Sequence, residues 1–320
     1  MMSAEMVDER TCCVLGGCGF LGSLAAAQLV AAGYRVRVFD RDGVSEKRLA
    51  AVLPRVELVR GDLMNTSDVV PAIDGVGTVL HFAGTTVPQT SMADVSYDLG
   101  TNVVPLVHLL ERLRQASGQR LIYASSGGTV YGLASARQPI DETHPTDPIC
   151  AYGVTKLMAE KYIQLYGANY GVNYAILRIA NPYGSSQPWD RVQGAVAVFL
   201  HRLLLDQEIV IWGDGQTVRD YVHESDVAAA AVAAVQCRGA RGVFNVGSGV
   251  PVSLLDVLHL LVAVSGRQAR VRHAAPRGFD VPYNVLDWRR FATATGWRPA
   301  VDLREGVRRM WERAHAAAQG

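Results

Sequence analysis

Short apolar runs separated by longer stretches of helical spacing fill most of the first half of the chain. Residues 12–15, 35–39, 56–59, 78–82, 120–124 and 173–178 are apolar or β-branched runs of strand length. Between them, residues 19–32, 95–115 and 151–170 carry apolar positions three and four apart, the period of a helix with one buried face. Strands and helices alternating at this length predict parallel strands joined by crossover helices, because a parallel pair cannot be closed by a tight turn. The expected fold class is therefore α/β, with a doubly wound parallel sheet of the Rossmann type. Beyond Asn181 the rhythm loosens to a helix over 193–205 and a short strand over 209–212, with glycines at 213, 215, 239, 247 and 249. A smaller α/β C-terminal lobe that binds substrate fits that half. The expected division is 1–180 for a dinucleotide-binding domain, with a return segment around 219–245, and 181–320 mainly for the second lobe.

Composition narrows the function classes. A chain of 320 residues with 49% hydrophobic content can bury a large core. Its formal net charge of +1, with opposite charges interspersed, offers no field to attract nucleic acid or a membrane surface. No apolar stretch is long enough to span a bilayer, and Glu5, Asp8 and Glu9 make the N-terminus unlike a signal or transit peptide. Cys12, Cys13, Cys18, Cys150 and Cys237 form no CxxC pair and have no histidine cluster nearby, so no metal site is expected. Free thiols fit a reducing, cytoplasmic setting.

The chemistry is concentrated at the ends of the predicted strands. Gly16-Gly-Cys-Gly19-Phe20-Leu21-Gly22 follows the first strand and opens the first helix. Gly16 suits the tight turn, Gly19 lets backbone N–H groups approach a pyrophosphate, and Gly22 lets the helix lie close on the strand. Asp40 ends the second strand, near the spacing of about 20 residues at which a carboxylate meets the adenosine ribose hydroxyls. That carboxylate repels a 2′-phosphate and favours NAD over NADP; Arg41 beside it is either a phosphate acceptor or a solvated charge. Gly61-Asp62-Leu63 and His81-Phe82-Ala83-Gly84 follow the third and fourth strands, where open parallel sheets bind ligands. Asp62 reads equally as a partner for the adenine amino group or as a helix cap, and His81 reads better as a packed histidine than as a catalyst. Ser125, Ser126 and Thr129 place hydroxyls where the fifth strand ends. Tyr152 and Lys156, four apart on a helix, share one face and can build a base from a phenol.

In this order, and together with Thr129-Val-Tyr-Gly132, Arg178-x2-Asn181-Pro-Tyr-Gly184, Arg219-Asp-Tyr-Val-His-x2-Asp226 and Asn245-x-Gly-Ser, these motifs resemble those of the extended short-chain dehydrogenase/reductases. The likeness is greatest to their nucleotide-sugar epimerase and dehydratase branch, typified by UDP-glucose 4-epimerase. It runs from Cys12 to about Arg313 and implies NAD as cofactor, with Phe82, Ala83, Gly84, Asn102, Ser125, Tyr152 and Lys156 among its contacts. It also implies a nucleotide-diphosphate sugar as substrate. Asn181 then contacts the diphosphate and Arg219 and Arg277 grip it, a task that suits permanently charged, bidentate guanidinium groups. Trp212 falls where the family packs the nucleotide base, its alternative being a core tryptophan. The gate on the sugar pocket falls on Asn284, or on Tyr283 if the alignment moves by one. The helices over 95–115 and 151–170 correspond to the family's dimer interface. There Leu106, Leu109, Leu110 and Leu113 form an apolar stripe that serves equally to pack the helix on its own sheet.

Two departures from the family pattern are informative. The position of the usual catalytic Ser or Thr holds Gly127, leaving Ser126 or Thr129 to supply the hydroxyl. Where dehydratases carry an Asp-Glu pair stand Gly128 and Thr129, which argues against elimination of water. A tyrosine titrates near pH ~10, so service as a base near pH 7 needs a shift of roughly 3 units, about 4 kcal/mol; Lys156 and the positive nicotinamide ring are the expected sources. The expected activity is NAD-dependent epimerisation of a nucleotide-diphosphate hexose at C4 through a transient keto sugar. The alternatives are an NAD(P)H-dependent reductase of 4-keto nucleotide sugars and a dinucleotide-binding regulator without turnover, against which Tyr152 and Lys156 count.

Overall fold

The computed structural model describes residues 7–116, 118–134, 137–187, 194–276 and 281–319. Six strands belong to the first half: β1 (Asp8–Leu15), β2 (Arg35–Asp40), β3 (Val56–Arg60), β4 (Val76–His81), β5 (Arg120–Ser126) and β6 (Asn173–Ile179). Seven shorter ones follow: β7 (Asn181–Tyr183), β8 (Ile209–Trp212), β9 (Val218–His223), β10 (Gly242–Val246), β11 (Pro251–Ser253), β12 (Val271–Ala274) and β13 (Tyr283–Asn284). The helices of the first half are α1 (Phe20–Ala31), α2 (Thr66–Ile73), α3 (Pro88–Ser91), α4 (Val95–Asn102), α5 (Val104–Leu113) and α6 (Ala151–Tyr170). Those of the second are α7 (Ala195–Leu204), α8 (Glu224–Gln236), α9 (Leu254–Ser265), α10 (Arg289–Thr295) and α11 (Leu303–Gln319).

Seven strands make one parallel sheet in the order β10-β6-β5-β4-β1-β2-β3. The chain builds outward from β1 through β2 and β3, then crosses back to β4 and builds the other way. The strand order therefore reverses between β1 and β4, and the carboxyl ends of these two strands flank the crevice in which such sheets bind ligands. Side chains alternate across the sheet: Cys12 and Val14 join the core under α1 and α8, whereas Cys13 and Leu15 join the core under α2, α5 and α6. Alanines 230, 231 and 234 are fully buried and let α8 lie close on α1, and β10 then returns to the sheet edge beside β6. A third core, of Val196, Leu200, Val257, Leu261 and Val307, joins α7, α9 and α11 in the second half. No helix among the described residues is long and apolar enough to cross a membrane.

The helix read as continuous over 95–115 is two helices. Pro105 has no N–H to continue the ladder and takes the start of α5, where that loss is tolerated. The stripe of Leu106, Leu109, Leu110 and Leu113 is buried against the chain's own sheet and is not an interface. Exposed apolar side chains near it include Val95 and Leu99 on α4, Val104 at the start of α5, and Val154, Tyr162 and Leu165 on α6.

Candidate active site

The end of β1 sets the first half of the site. Gly16 has φ +77°, and a Cβ there would come within 2.6 Å of the Ala83 amide nitrogen, so only glycine lets the ends of β1 and β4 close on each other. A Cβ on Gly22 would collide with the Gly16 carbonyl oxygen. Gly19 caps α1, its N–H donating to Gly16 O at 3.1 Å, and Phe20 and Leu21 form the half-buried first turn. The helix N-terminus thus points its amides into the crevice, as an anionic pyrophosphate requires. Asp40 Oδ2 accepts from the Cys18 N–H at 2.8 Å and Oδ1 from the Arg41 N–H at 2.9 Å, so the carboxylate braces the loop. Its remaining lone pairs suit ribose hydroxyls. Arg41 is exposed. Asp62 is also exposed and accepts from the Met64 N–H at 2.9 Å, closing a turn ahead of α2. The cap of that helix is Asn65, which accepts from the Ser67 N–H at 3.1 Å, so Asp62 is not the cap, and Leu63 packs at the edge of the core. The Phe82 N–H donates to Leu15 O at 2.9 Å, and the chain after Gly84 is tied to α4. There Asn102 Oδ1 accepts from the Thr85 N–H at 3.1 Å, and its Nδ2 donates to Thr85 Oγ1 at 2.9 Å and Asp98 O at 2.8 Å. A glycine cradle, a helix N-terminus and an acidic strand end fit a dinucleotide.

Tyr152 and Lys156 lie on α6 as read from the sequence. Lys156 is buried, donates from Nζ to Ala124 O at 2.9 Å, and sits 4.8 Å from the Tyr123 ring centroid and 5.7 Å from that of Tyr152. Burial takes its ammonium down to about 8, against the opposing pull of Asp98 and Glu160. Tyr152 is pushed above the ordinary phenol range, by burial first and then by the Asp98 charge. In the protein alone, burial and the Asp98 charge hold Tyr152 up, and the lowering expected of Lys156 together with the nicotinamide ring is not seen. His81 is the packed histidine: it lies 5.4 Å from the Tyr123 ring, and burial with the nearby Lys156 charge holds it neutral, at about 3.

Two buried carboxylates behind these residues escape a reading by motif. Glu160, a turn beyond Lys156, pairs with Arg178 at 2.6 Å and accepts from Ser125 Oγ at 2.5 Å, so Ser125 faces the ion pair. Asp98, a turn before Asn102, accepts from Thr155 Oγ1 at 2.6 Å, from Asn102 Nδ2 at 3.2 Å and from Thr86 Oγ1. The signals available were the four-residue spacings to Lys156 and Asn102.

Beyond the start of α6 opens a cavity of about 570 Å³, within the range of small-ligand sites, with Gly128, Thr129, Asn181, Trp212 and Arg219 in its wall. Asn181 Nδ2 donates to Asp220 O at 3.0 Å, and Arg219 donates to Val218 O at 2.9 Å and Val281 O at 2.6 Å. Trp212 is 43% exposed, which removes its reading as a core tryptophan. Thr129 Oγ1 is buried without a hydrogen-bond partner, and a Cβ on Gly153 would come within 2.8 Å of its carbonyl, so Thr129 abuts the turn that carries Tyr152. Ser126 ends β5, its carbonyl accepting from the Thr129 and Val130 N–H groups at 3.3 and 3.1 Å. Gly127 has a steric cause: a Cβ there would collide with Leu286 Cδ1 and approach Arg178 O to 3.0 Å. A side chain at that position would require Leu286 to move aside. Asn284, expected as a gate, is 1% exposed and donates from Nδ2 to Gly127 O at 3.0 Å; it is a strap beneath the turn. Tyr283 is buried beside it on β13. Arg277 lies outside the described residues.

The pattern of the NAD dependent epimerase/dehydratase family matches residues 12–247. A putative UDP-glucose 4-epimerase of Methanocaldococcus jannaschii is 33% identical over 298 residues, covering 93% of this chain and 96% of its own. The dTDP-4-dehydro-6-deoxyglucose reductase of Escherichia coli is 28% identical over 302 residues, 92% of this chain and 94% of its own. The crystal structure of UDP-glucose 4-epimerase from Thermotoga maritima with UDP-glucose superposes with a TM-score of 0.89 at 30% identity, covering 96% of this chain and 99% of that one. The match in sequence and in fold runs over most of the chain, and the protein belongs to the NAD-dependent epimerase/dehydratase family.

Proposed function

We propose that the protein is an NAD-dependent C4 epimerase of a nucleotide-diphosphate hexose, as its similarity to UDP-glucose 4-epimerases suggests. The observation that carries this reading is the charge of the cavity wall. Its described residues include Arg202, Arg219 and Arg272 and no carboxylate, although Arg272 pairs with Glu208 behind the wall at 2.7 Å. Cations suit a diphosphate. The lack of an acid beside Gly128 and Thr129 removes the groups that drive elimination of water.

NAD, when bound, supplies the hydride acceptor. Gly16, Gly19, Phe20, Leu21 and Gly22 cradle its pyrophosphate, and Asp40 takes its ribose. Asp62, Leu63, Phe82, Ala83, Gly84, Asn102 and Ser125 complete the walls of its crevice. Tyr152 Oη removes the proton of the C4 hydroxyl as the C4–H bond breaks and the C4 carbonyl forms. It returns that proton once hydride has come back to the other face of the keto sugar. Lys156 holds positive charge beside the phenol, and Thr129 in place of Ser126 offers the hydroxyl that Gly127 cannot carry. Asn181, Arg219 and Arg277 hold the diphosphate, and Trp212 packs the base. Residues 1–180 with the return segment around 219–245 serve the cofactor, and 181–320 mainly the sugar nucleotide. Val95, Leu99, Val154, Tyr162 and Leu165 form an exposed apolar face on two packed helices that a second copy would cover; light scattering of the purified protein is expected to give a homodimer. Five free cysteines suit a cytoplasmic setting.

Incubation with UDP-, GDP- and dTDP-hexoses and separation of the products tests the reading. One pair of C4 epimers should interconvert without added cofactor. Turnover confined to a 4-keto sugar with added NADPH would overturn it in favour of the reductase reading, which the Escherichia coli relative keeps in play.

A further inference from the structure

We propose that Asp98 is a positioning residue of this site: a fully buried carboxylate that ties the loop after β4 to the base helix and sets the pH range in which Tyr152 works. The proposal rests on the reading of Tyr152 as the base. Asp98 has no exposed surface. Its Oδ2 accepts from Thr155 Oγ1 on α6, at 2.6 Å, and its Oδ1 accepts from Thr86 Oγ1 on the loop and from Asn102 Nδ2 on its own helix, at 3.2 Å. Accepting at both oxygens is the pattern of a carboxylate. All three donors are neutral, so they orient the charge without cancelling it, and in a low-dielectric interior an uncancelled charge acts on its neighbours.

Those neighbours are the reacting groups. Thr155, the tie to α6, lies between Tyr152 and Lys156 in sequence. The titratable groups facing this cluster are Tyr152, Lys156 and Glu160 on α6, Cys150 at its cap, Tyr123 on β5 and His81 on β4. The Asp98 charge pushes Tyr152, Tyr123 and Cys150 up and helps to keep Lys156 charged against its burial. Removing it should therefore move both members of the pair toward acid. The same carboxylate reaches Thr86, next to Thr85, so a single group registers the chain after Gly84 against the helix that carries the base.

The test is the titration of Tyr152 in the NAD-loaded protein. Phenolate formation is followed by ultraviolet difference absorbance and assigned by subtracting the Tyr152→Phe protein. Asp98→Asn and Asp98→Ser, each checked for folding by circular dichroism, should titrate lower by roughly one pH unit, with the limbs of the rate profile moving the same way. Thr155→Val, which removes a tie and keeps the charge, should titrate as wild type while binding NAD more weakly. Either folded Asp98 variant titrating with the wild type overturns the proposal, as does failure of both to fold, which would make Asp98 a stability residue only. The titration is read whether or not a sugar turns over. A shifted titration without epimerisation thus rejects the proposed activity and leaves the role of Asp98 standing.

Discussion

The dinucleotide crevice and the cavity beyond the start of α6 both tie side chains to the chain's own backbone, Asn181 and Arg219 of the cavity included, but they differ in what they leave unpaired. In the crevice the polar side chains are engaged with the chain's own backbone: Asp40 with Cys18, Asn102 with Thr85, Asp62 with Met64. Gly16 and Gly22 stand where a Cβ would strike backbone. Around the cavity, Thr129 Oγ1 and Gln89 Oε1 are buried without partners, and Trp212 stands exposed. An unmet buried polar group costs about 1–3 kcal/mol, and beside an open cavity a bound molecule or water can satisfy it. The contrast suits a frame made rigid for a retained cofactor beside a wall completed by each incoming sugar. Substitutions in the crevice should then cost stability and cofactor, and those in the cavity should cost turnover.

The sharpest way to break this contrast is Tyr152→Phe. Loss of the proton-transferring oxygen should lower kcat by roughly 10²–10⁴, while calorimetry finds the sugar nucleotide still bound; retained activity would remove Tyr152 from its role. Next, Thr129→Val should lower kcat by roughly tenfold or more and leave the melting temperature unchanged or raised, because the hydroxyl it removes has no partner in the fold. Thr129→Ser should restore the rate. If Ser126→Ala has the larger effect, the hydroxyl is Ser126. In the crevice, Gly16→Ala should behave in reverse, losing about 1–3 kcal/mol of stability at a positive φ with backbone in the way. The purified protein should then carry less NAD.

Stability should also depend on pH. His81 titrates at about 3 and His223 at about 4, both below the ordinary 6.5 because burial disfavours the imidazolium. The unfolded chain takes up these protons first, so the stability they contribute is whole above pH 6.5 and is lost as pH falls toward 3. Urea titrations across that window should show it, and His81→Phe should flatten part of the slope.

Much of the first half was legible because it is regular. Parallel strands repeat a local pattern, and α6 begins and ends where the apolar spacing predicts. What the sequence could not show depends on distant neighbours. Gly127 is glycine because of Leu286, and Asn284 is buried because it straps Gly127; no local window contains both partners. The leucine stripe of α5 carried two readings, since an apolar face does not say what covers it. Asp98 is buried because α6 and the loop after β4 close over it, partners far from it in sequence.

The most direct test of C4 epimerisation follows a label. A nucleotide hexose bearing deuterium at C4 is incubated with the purified protein, and the products are separated and read by NMR. If hydride leaves and returns within one closed site, the epimer carries the deuterium at C4, with none lost to solvent and no cofactor added. An epimer lacking the label at C4, or no epimer until NADPH and a 4-keto sugar are supplied, would contradict the account.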